Sequence, residues 1–114
     1  RLKLAVLFMC CFVGMPCIFY GDELGVEGQD ELDYRRAMPW QDGDRDLLRF
    51  YREAIALRRA HPALRHGELR FLRAEPGEHV LVFERKTGVE RLVITINASD
   101  KHNLLPPFSW DIGT

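Results

Sequence analysis

Gly14-Met15-Pro16-Cys17-Ile18-Phe19-Tyr20-Gly21-Asp22-Glu23-Leu24-Gly25 decides how the rest of the chain is read. A Gly/Pro break precedes a short apolar run, which delivers Tyr20, Asp22 and Glu23 to a glycine-flanked loop. Such a run between turn signals predicts a buried strand of the parallel-sheet kind, here residues 17–21. Polar groups just past the C-terminal end of that kind of strand are where α/β folds hold their chemistry.

Upstream, residues 2–13 are apolar almost all round, with Lys3 the only charge. A helix of that composition is buried on most of its surface. Gly14 supplies its C-terminal turn and Pro16 prevents continuation. Arg1-Leu2-Lys3, the apolar run and Cys17 also imitate a secretion leader. The run is too short to span a bilayer, which takes about 20 residues. With no initiator Met before Arg1, the chain is expected to begin inside a longer protein, cytoplasmic rather than secreted. Cys10, Cys11 and Cys17 are an odd, clustered set on apolar stretches, which predicts buried thiols rather than disulfides. None stands at zinc-ligand spacing.

Downstream, residues 25–43 have neither helical nor strand period, yet carry acids, two arginines, Tyr34, Met38 and Trp40. A long irregular segment inside a compact domain is functional or disordered, and its large apolar residues argue against disorder. Asp44 or Asp46 can cap a helix over about 45–60, where Leu47, Phe50, Ala54 and Leu57 recur at helical spacing. Leu48, Tyr51 and Ile55 widen its apolar face. Arg58, Arg59 and His61 suit the negative end of the helix dipole, as a solvated helix end before Pro62. After Gly67 the period becomes two, and turns at Pro76-Gly77 and Thr87-Gly88 divide an antiparallel three-strand meander ending near Asn97. The tail, with Phe108-Ser109-Trp110-Asp111-Ile112, can begin a fourth strand. A boundary is expected near Ala63–Gly67.

The 114 residues fit one ordinary domain or parts of two, and 46% apolar with 29% charged is a globular composition. Sixteen basic against seventeen acidic side chains leave a net charge of −1. No basic excess draws the chain to nucleic acid or a membrane surface.

Asp22 and Glu23 suggest a carboxylate pair for glycoside hydrolysis. Adjacent strand residues point to opposite faces, however, so loop-anchoring hydrogen bonds are the first expectation for both. Glu31 and Arg35 are the better site candidates, because an Arg fork beside a carboxylate suits vicinal sugar hydroxyls. Spacing alone equally allows a loop-stabilising ion pair. Tyr34 and Trp40 can stack on a sugar ring or pin the loop, and pinning is the commoner fate. The four histidines are scattered, and no nucleophile elbow or phosphate loop occurs.

The quoted stretch resembles the eighth barrel strand of the α-amylase superfamily of glycoside hydrolases (family 13). Asp33-Tyr34-Arg35-Arg36-Ala37-Met38-Pro39-Trp40 is similar to the following loop in its neopullulanase, cyclomaltodextrinase and oligosaccharide-acting members. Ala56-Leu57-Arg58-Arg59-Ala60-His61-Pro62-Ala63-Leu64 looks like the end of the last barrel helix. The fold class implied is α/β plus all-β. Residues 1–66 would be the closing part of a (β/α)8 barrel: seventh helix, eighth strand, substrate loop and eighth helix. Residues 67–114 would start a C-terminal antiparallel β-sandwich domain.

In those relatives an Asp-Pro-x-x-Arg segment holds the glucose unit on the nonreducing side of the cleaved bond. Arg35 matches its arginine. Glu31 falls on the aspartate, Leu32 replaces the proline, and Asp30 or Asp33 are alternative acidic contacts. The resemblance therefore implies substrate contacts by Arg35, Glu31, Tyr34 and Trp40 in a retaining enzyme acting on α-linked oligosaccharides. The family's catalytic carboxylates lie on earlier strands, and a full barrel takes about 250 residues. The chain alone is expected to be inactive, without cofactor, with calcium sites of the family mostly upstream. Apolar surface left without neighbouring strands is expected to drive self-association by exchange of elements. The competing reading is a non-catalytic carbohydrate-binding β-module, residues 68–114, behind a targeting segment at 1–17.

Overall fold

The computed structural model describes residues 1–30 and 32–102, apart from the Tyr34 side chain. Three helices, α1 (Leu2–Cys11), α2 (Arg45–Ala60) and α3 (Pro62–His66), precede three strands, β1 (Glu68–Arg73), β2 (Val80–Lys86) and β3 (Arg91–Asn97). Single 3-10 turns at Asp22–Leu24 and Asp33–Arg35 punctuate the long connection between α1 and α2.

The all-round apolar character of α1 has a structural reason, because the helix is wedged between two partners. Val6 and Cys10 pack with Leu47, Tyr51 and Ala54 of α2. Cys11 joins Leu64, Phe83 and Ile96, with Leu4, Leu7, Phe8 and Phe12 packed around them. Phe8 and Phe12 stack at 4.7 Å, and both meet the Phe83 ring edge-on, at 6.1 and 5.8 Å. Buried aromatic pairs in this geometry contribute beyond their area. None of the described helices is long and apolar enough to cross a membrane.

α1 ends earlier than expected, at Cys11. Phe12 is already extended and Gly14 takes φ +100°, a conformation costly for any residue with a Cβ. The expected strand at 17–21 is not formed, and residues 15–19 run without strand pairing into the turn at Asp22. A parallel strand exists only through hydrogen bonds to neighbouring strands, and the three described strands form a separate antiparallel sheet in which β2 pairs with β1 and β3. Cys17, expected to be buried with the other two thiols, is exposed on this unpaired stretch.

α2 matches its expected bounds. Asp44 is the cap, its Oδ1 accepting from the Asp46 and Leu47 amides at 2.9 Å each. Leu47, Tyr51 and Ala54 are buried, while Ile55 and Leu57 are exposed, so the inward stripe is narrower than the sequence suggests. Pro62 both ends α2 and opens α3 at its first position, where its missing N–H removes no helical bond.

The basic end of α2 is not simply solvated. Arg58 reaches back to the end of α1 and donates to the carbonyls of Cys10 (2.8 Å), Phe12 (3.0 Å) and Gly14. α1 has no basic residue in its own last turn, so its orphan carbonyls are satisfied by tertiary donors.

The sheet is the expected meander, in the order β1-β2-β3 and antiparallel throughout. Phe83 lies opposite Phe71 on one side and Ile94 on the other. Glu84 and Arg85 are both buried in the central strand. Glu84 pairs with Arg91 across the ladder. Arg85, 1% exposed, donates to Cys11 O and Gly67 O at 2.9 Å each. Chain direction turns at Gly67, where a Cβ would meet Ala63 O at 2.4 Å. The fourth strand expected near residues 108–112 lies outside the described residues.

Candidate functional site

The long connection is built from two tight turns, each locked by an acid. In the first, Gly21 and Gly25 take φ +95° and +69°, which lets the chain reverse around Asp22–Leu24. Glu23 Oε2 accepts the Gly21 amide at 2.9 Å, and Val26 N donates to Gly21 O at 3.0 Å. Glu23 therefore anchors the loop, as its first expectation had it, and does not face Asp22 across a substrate cleft. The backbone of buried Leu24 accepts from Asp44 N at 2.9 Å, which ties this turn to the start of α2. Tyr51 lies beneath. Burial pushes its hydroxyl pKa up, and the charges of Asp22 and Glu23 push it further.

In the second turn, Asp30 Oδ1 accepts the Leu32 and Asp33 amides at 2.9 Å. Asp33 Oδ2 accepts from Gln29 N at 3.3 Å. Both acids weighed as alternative substrate contacts are thus engaged by the loop's own backbone. Arg36 braces the turn from the other side. Its Nε donates to Asp33 O at 3.0 Å, its Nη2 to Glu27 O at 2.8 Å, and the guanidinium pairs with the Asp33 carboxylate at 3.5 Å.

One bond joins the two turns through side chain and backbone: the Tyr20 hydroxyl donates to Arg36 O at 3.0 Å. Phe19 and Tyr20 lie ring to ring at 4.8 Å. With Gly21, Asp22, Val26, Ala37 and Pro39 they line a cavity of about 90 Å³, too small for a sugar ring but closed enough to hold the turns together.

On this frame Arg35 ends the second 3-10 turn with its side chain exposed. Trp40 is 75% exposed. Its backbone is held by Arg45, whose Nη2 donates to the carbonyls of Trp40 (2.7 Å) and Gln41 (3.3 Å). Its indole is left to the surface. Glu31 and the Tyr34 side chain fall outside what the structure describes. Arg36 was missed by sequence reading. The signal available was its place beside Arg35 in a turn rich in unsatisfied carbonyls, but its partners depend on how the loop closes.

Among the described residues no group of three His, Cys, Asp or Glu side chains could hold a metal ion. The larger concavity, about 740 Å³ between α1 and the end of β3, is lined mainly by apolar side chains such as Leu4, Phe8 and Ile96. Its charged groups include Arg1 and Asp100, which face each other at 3.9 Å at the exposed rim.

No family model matches the chain. Individual proteins do. It is 39% identical over 99 residues to a cyclomaltodextrinase of Bacillus sp, covering 85% of this chain and 18% of that protein. It is 33% identical over 114 residues to a maltogenic alpha-amylase of Bacillus acidopullulyticus, covering 97% of this chain and 20% of that protein. A solved cyclomaltodextrinase structure superposes with a TM-score of 0.77 at 40% identity, over 83% of this chain and 17% of that one. The chain thus spans about a fifth of the length of the curated relatives it matches.

Proposed function

The chain is a partial stretch of an α-amylase-superfamily sequence, glycoside hydrolase family 13, and from that premise we propose that it supplies a substrate-binding loop to an enzyme cleaving α-glucosidic bonds. Residues 1–66 correspond in this reading to the closing part of the catalytic barrel, and residues 67–114 to the start of the β-domain that follows it. The substrate is an α-linked oligosaccharide, malto-oligosaccharide or cyclodextrin. The catalytic carboxylates are contributed from elsewhere in the longer protein, and no cofactor is bound by this stretch.

One observation carries this reading. Arg35 stands exposed at the end of a turn whose backbone is tied by Asp30 and Asp33. A guanidinium presented in this way offers several donors in a fixed fork, which matches paired sugar hydroxyls. Trp40, exposed a few residues on, adds an apolar face of the kind that stacks on a sugar ring.

The test uses the complete protein that carries these residues. Arg35→Ala should lower kcat/KM on malto-oligosaccharides and cyclodextrins about ten- to hundredfold, the effect of losing one or two charge-assisted hydrogen bonds. Circular dichroism should be unchanged. Undiminished activity in the variant would remove Arg35 from the site. Absence of α-glucan hydrolysis by the unaltered protein would overturn the reading as a whole. Residues 1–114 expressed alone should show no turnover.

A further inference from the structure

We infer that Tyr20 and Arg36 are positioning residues that aim Arg35, acting as a strut between the two turns of the loop. The inference rests on the substrate-binding reading above and adds to it the machinery that fixes where the arginine points.

The 3-10 turn Asp33–Arg35 has little regular structure to hold it, since a single such turn makes few backbone bonds and those have poor geometry. Its own ties are Arg35 N to Leu32 O at 3.1 Å and Arg36 N to Asp33 O at 3.4 Å. Asp30 fixes the entry to the turn through the Leu32 and Asp33 amides. The exit, which determines the direction of Arg35, is fixed by Arg36. Its guanidinium bonds back to Asp33 O and across to Glu27 O, while its carbonyl receives the Tyr20 hydroxyl at 3.0 Å.

Tyr20 is itself held at a fixed point. Asp22 N donates to Phe19 O at 3.1 Å, and the next residue, Gly21, is clamped by Glu23. A displacement of Tyr20 is therefore passed to the Arg36–Ala37 peptide, one residue beyond Arg35, and the bonds that Arg36 makes to Asp33 O and Glu27 O leave little freedom to absorb it. A guanidinium acting at hydrogen-bond range is sensitive to such shifts, because about 1 Å of misplacement separates a bond from a miss.

The experiment compares Tyr20→Phe, Arg35→Ala and the double variant in the complete protein. Tyr20→Phe removes one hydroxyl and keeps the ring, and should raise KM about three- to tenfold, the equivalent of one ordinary hydrogen bond, with kcat unchanged. In the Arg35→Ala background the same change should have no further effect, because the residue it positions is gone. A parallel readout needs no substrate: Tyr20→Phe and Arg36→Gln should both speed tryptic cleavage after Arg35 in the native protein.

An equal kinetic loss with and without Arg35 would overturn the inference, as would Tyr20→Phe with neither a KM change nor faster cleavage. If Arg35→Ala is itself silent while Tyr20→Phe speeds cleavage, the strut stands and the substrate reading falls. If Arg35→Ala is damaging and Tyr20→Phe is silent in both measurements, the substrate reading stands and the strut falls.

Discussion

Glu90, in the turn between β2 and β3, grips His61 at the kink between α2 and α3: its Oε1 lies 2.6 Å from His61 Nδ1. Its other oxygen accepts the Ala63 amide at 2.8 Å, so one carboxylate from the sheet caps a helix that has no side-chain cap of its own. The hydrogen bond from His61, and after it the one from Ala63, hold the Glu90 carboxyl below the ordinary glutamate range.

The sign of the resulting pH dependence follows from that direction. A carboxyl whose folded pKa is depressed contributes stability above its unfolded value, about 4.3, and loses it as pH falls through the folded value. Glu90→Gln should therefore lower Tm at pH 6, and the gap to the unaltered chain should close as the pH is taken toward 3. A gap that persists undiminished in acid would show that the ionised carboxylate is not what matters.

Thiol reactivity should divide the three cysteines. Cys10 and Cys11 are buried, and burial pushes both thiols up, away from the reactive thiolate. Cys17 is exposed. A thiol reagent at neutral pH should label one site quickly in the native chain, identified as Cys17 by mass spectrometry, and all three only after denaturation. Rapid labelling of Cys10 would mean that α1 opens from α2.

The junction of loop and α2 offers a paired test. Asp44→Ala removes the cap and should cost about 1 kcal/mol. Gly43→Ala should cost more, about 2–4 kcal/mol, because φ is +136° there and a new Cβ would lie 2.9 Å from Leu24 Cβ. Urea unfolding midpoints rank the two, and the reverse order would show that the loop yields where it looks rigid.

Arg85→Met should destabilise the chain by about 2–4 kcal/mol, since the buried carbonyl of Cys11 and the partly buried carbonyl of Gly67 lose their donor. Arg85→Lys should recover less than half of that, because a single ammonium does not span both acceptors in the way the planar fork does. Denaturant unfolding measures both. Full recovery by lysine would reduce the role of Arg85 to its charge.

Local pattern was legible in the sequence and long-range dependence was not. The bounds of α2 and the meander follow from periodicity and turn residues, which act over a few positions. The strand expected at 17–21 failed for the opposite reason, since its hydrogen bonds belong to neighbours. Arg58 reads as a solvated helix end because nothing near it in sequence reveals the carbonyls 44 to 48 positions earlier that it serves. In the candidate site, Arg35 was singled out through its motif and lies exposed in the loop. Trp40 is exposed on the same loop, and Arg36 was passed over because its acceptors assemble only when the loop has closed.

Arg85 stands 74 positions after the Cys11 carbonyl it satisfies. On a ribosome adding about 5–20 residues per second, the end of α1 waits several seconds for that donor to be made. During that interval α1 can dock on α2 and receive Arg58, but the Cys11 carbonyl stays open to water or to a chaperone. Synthesis order thus makes the β2 strand the latch of the first helix, and a ribosomal pause placed before Arg85 would prolong the time that helix remains unfastened.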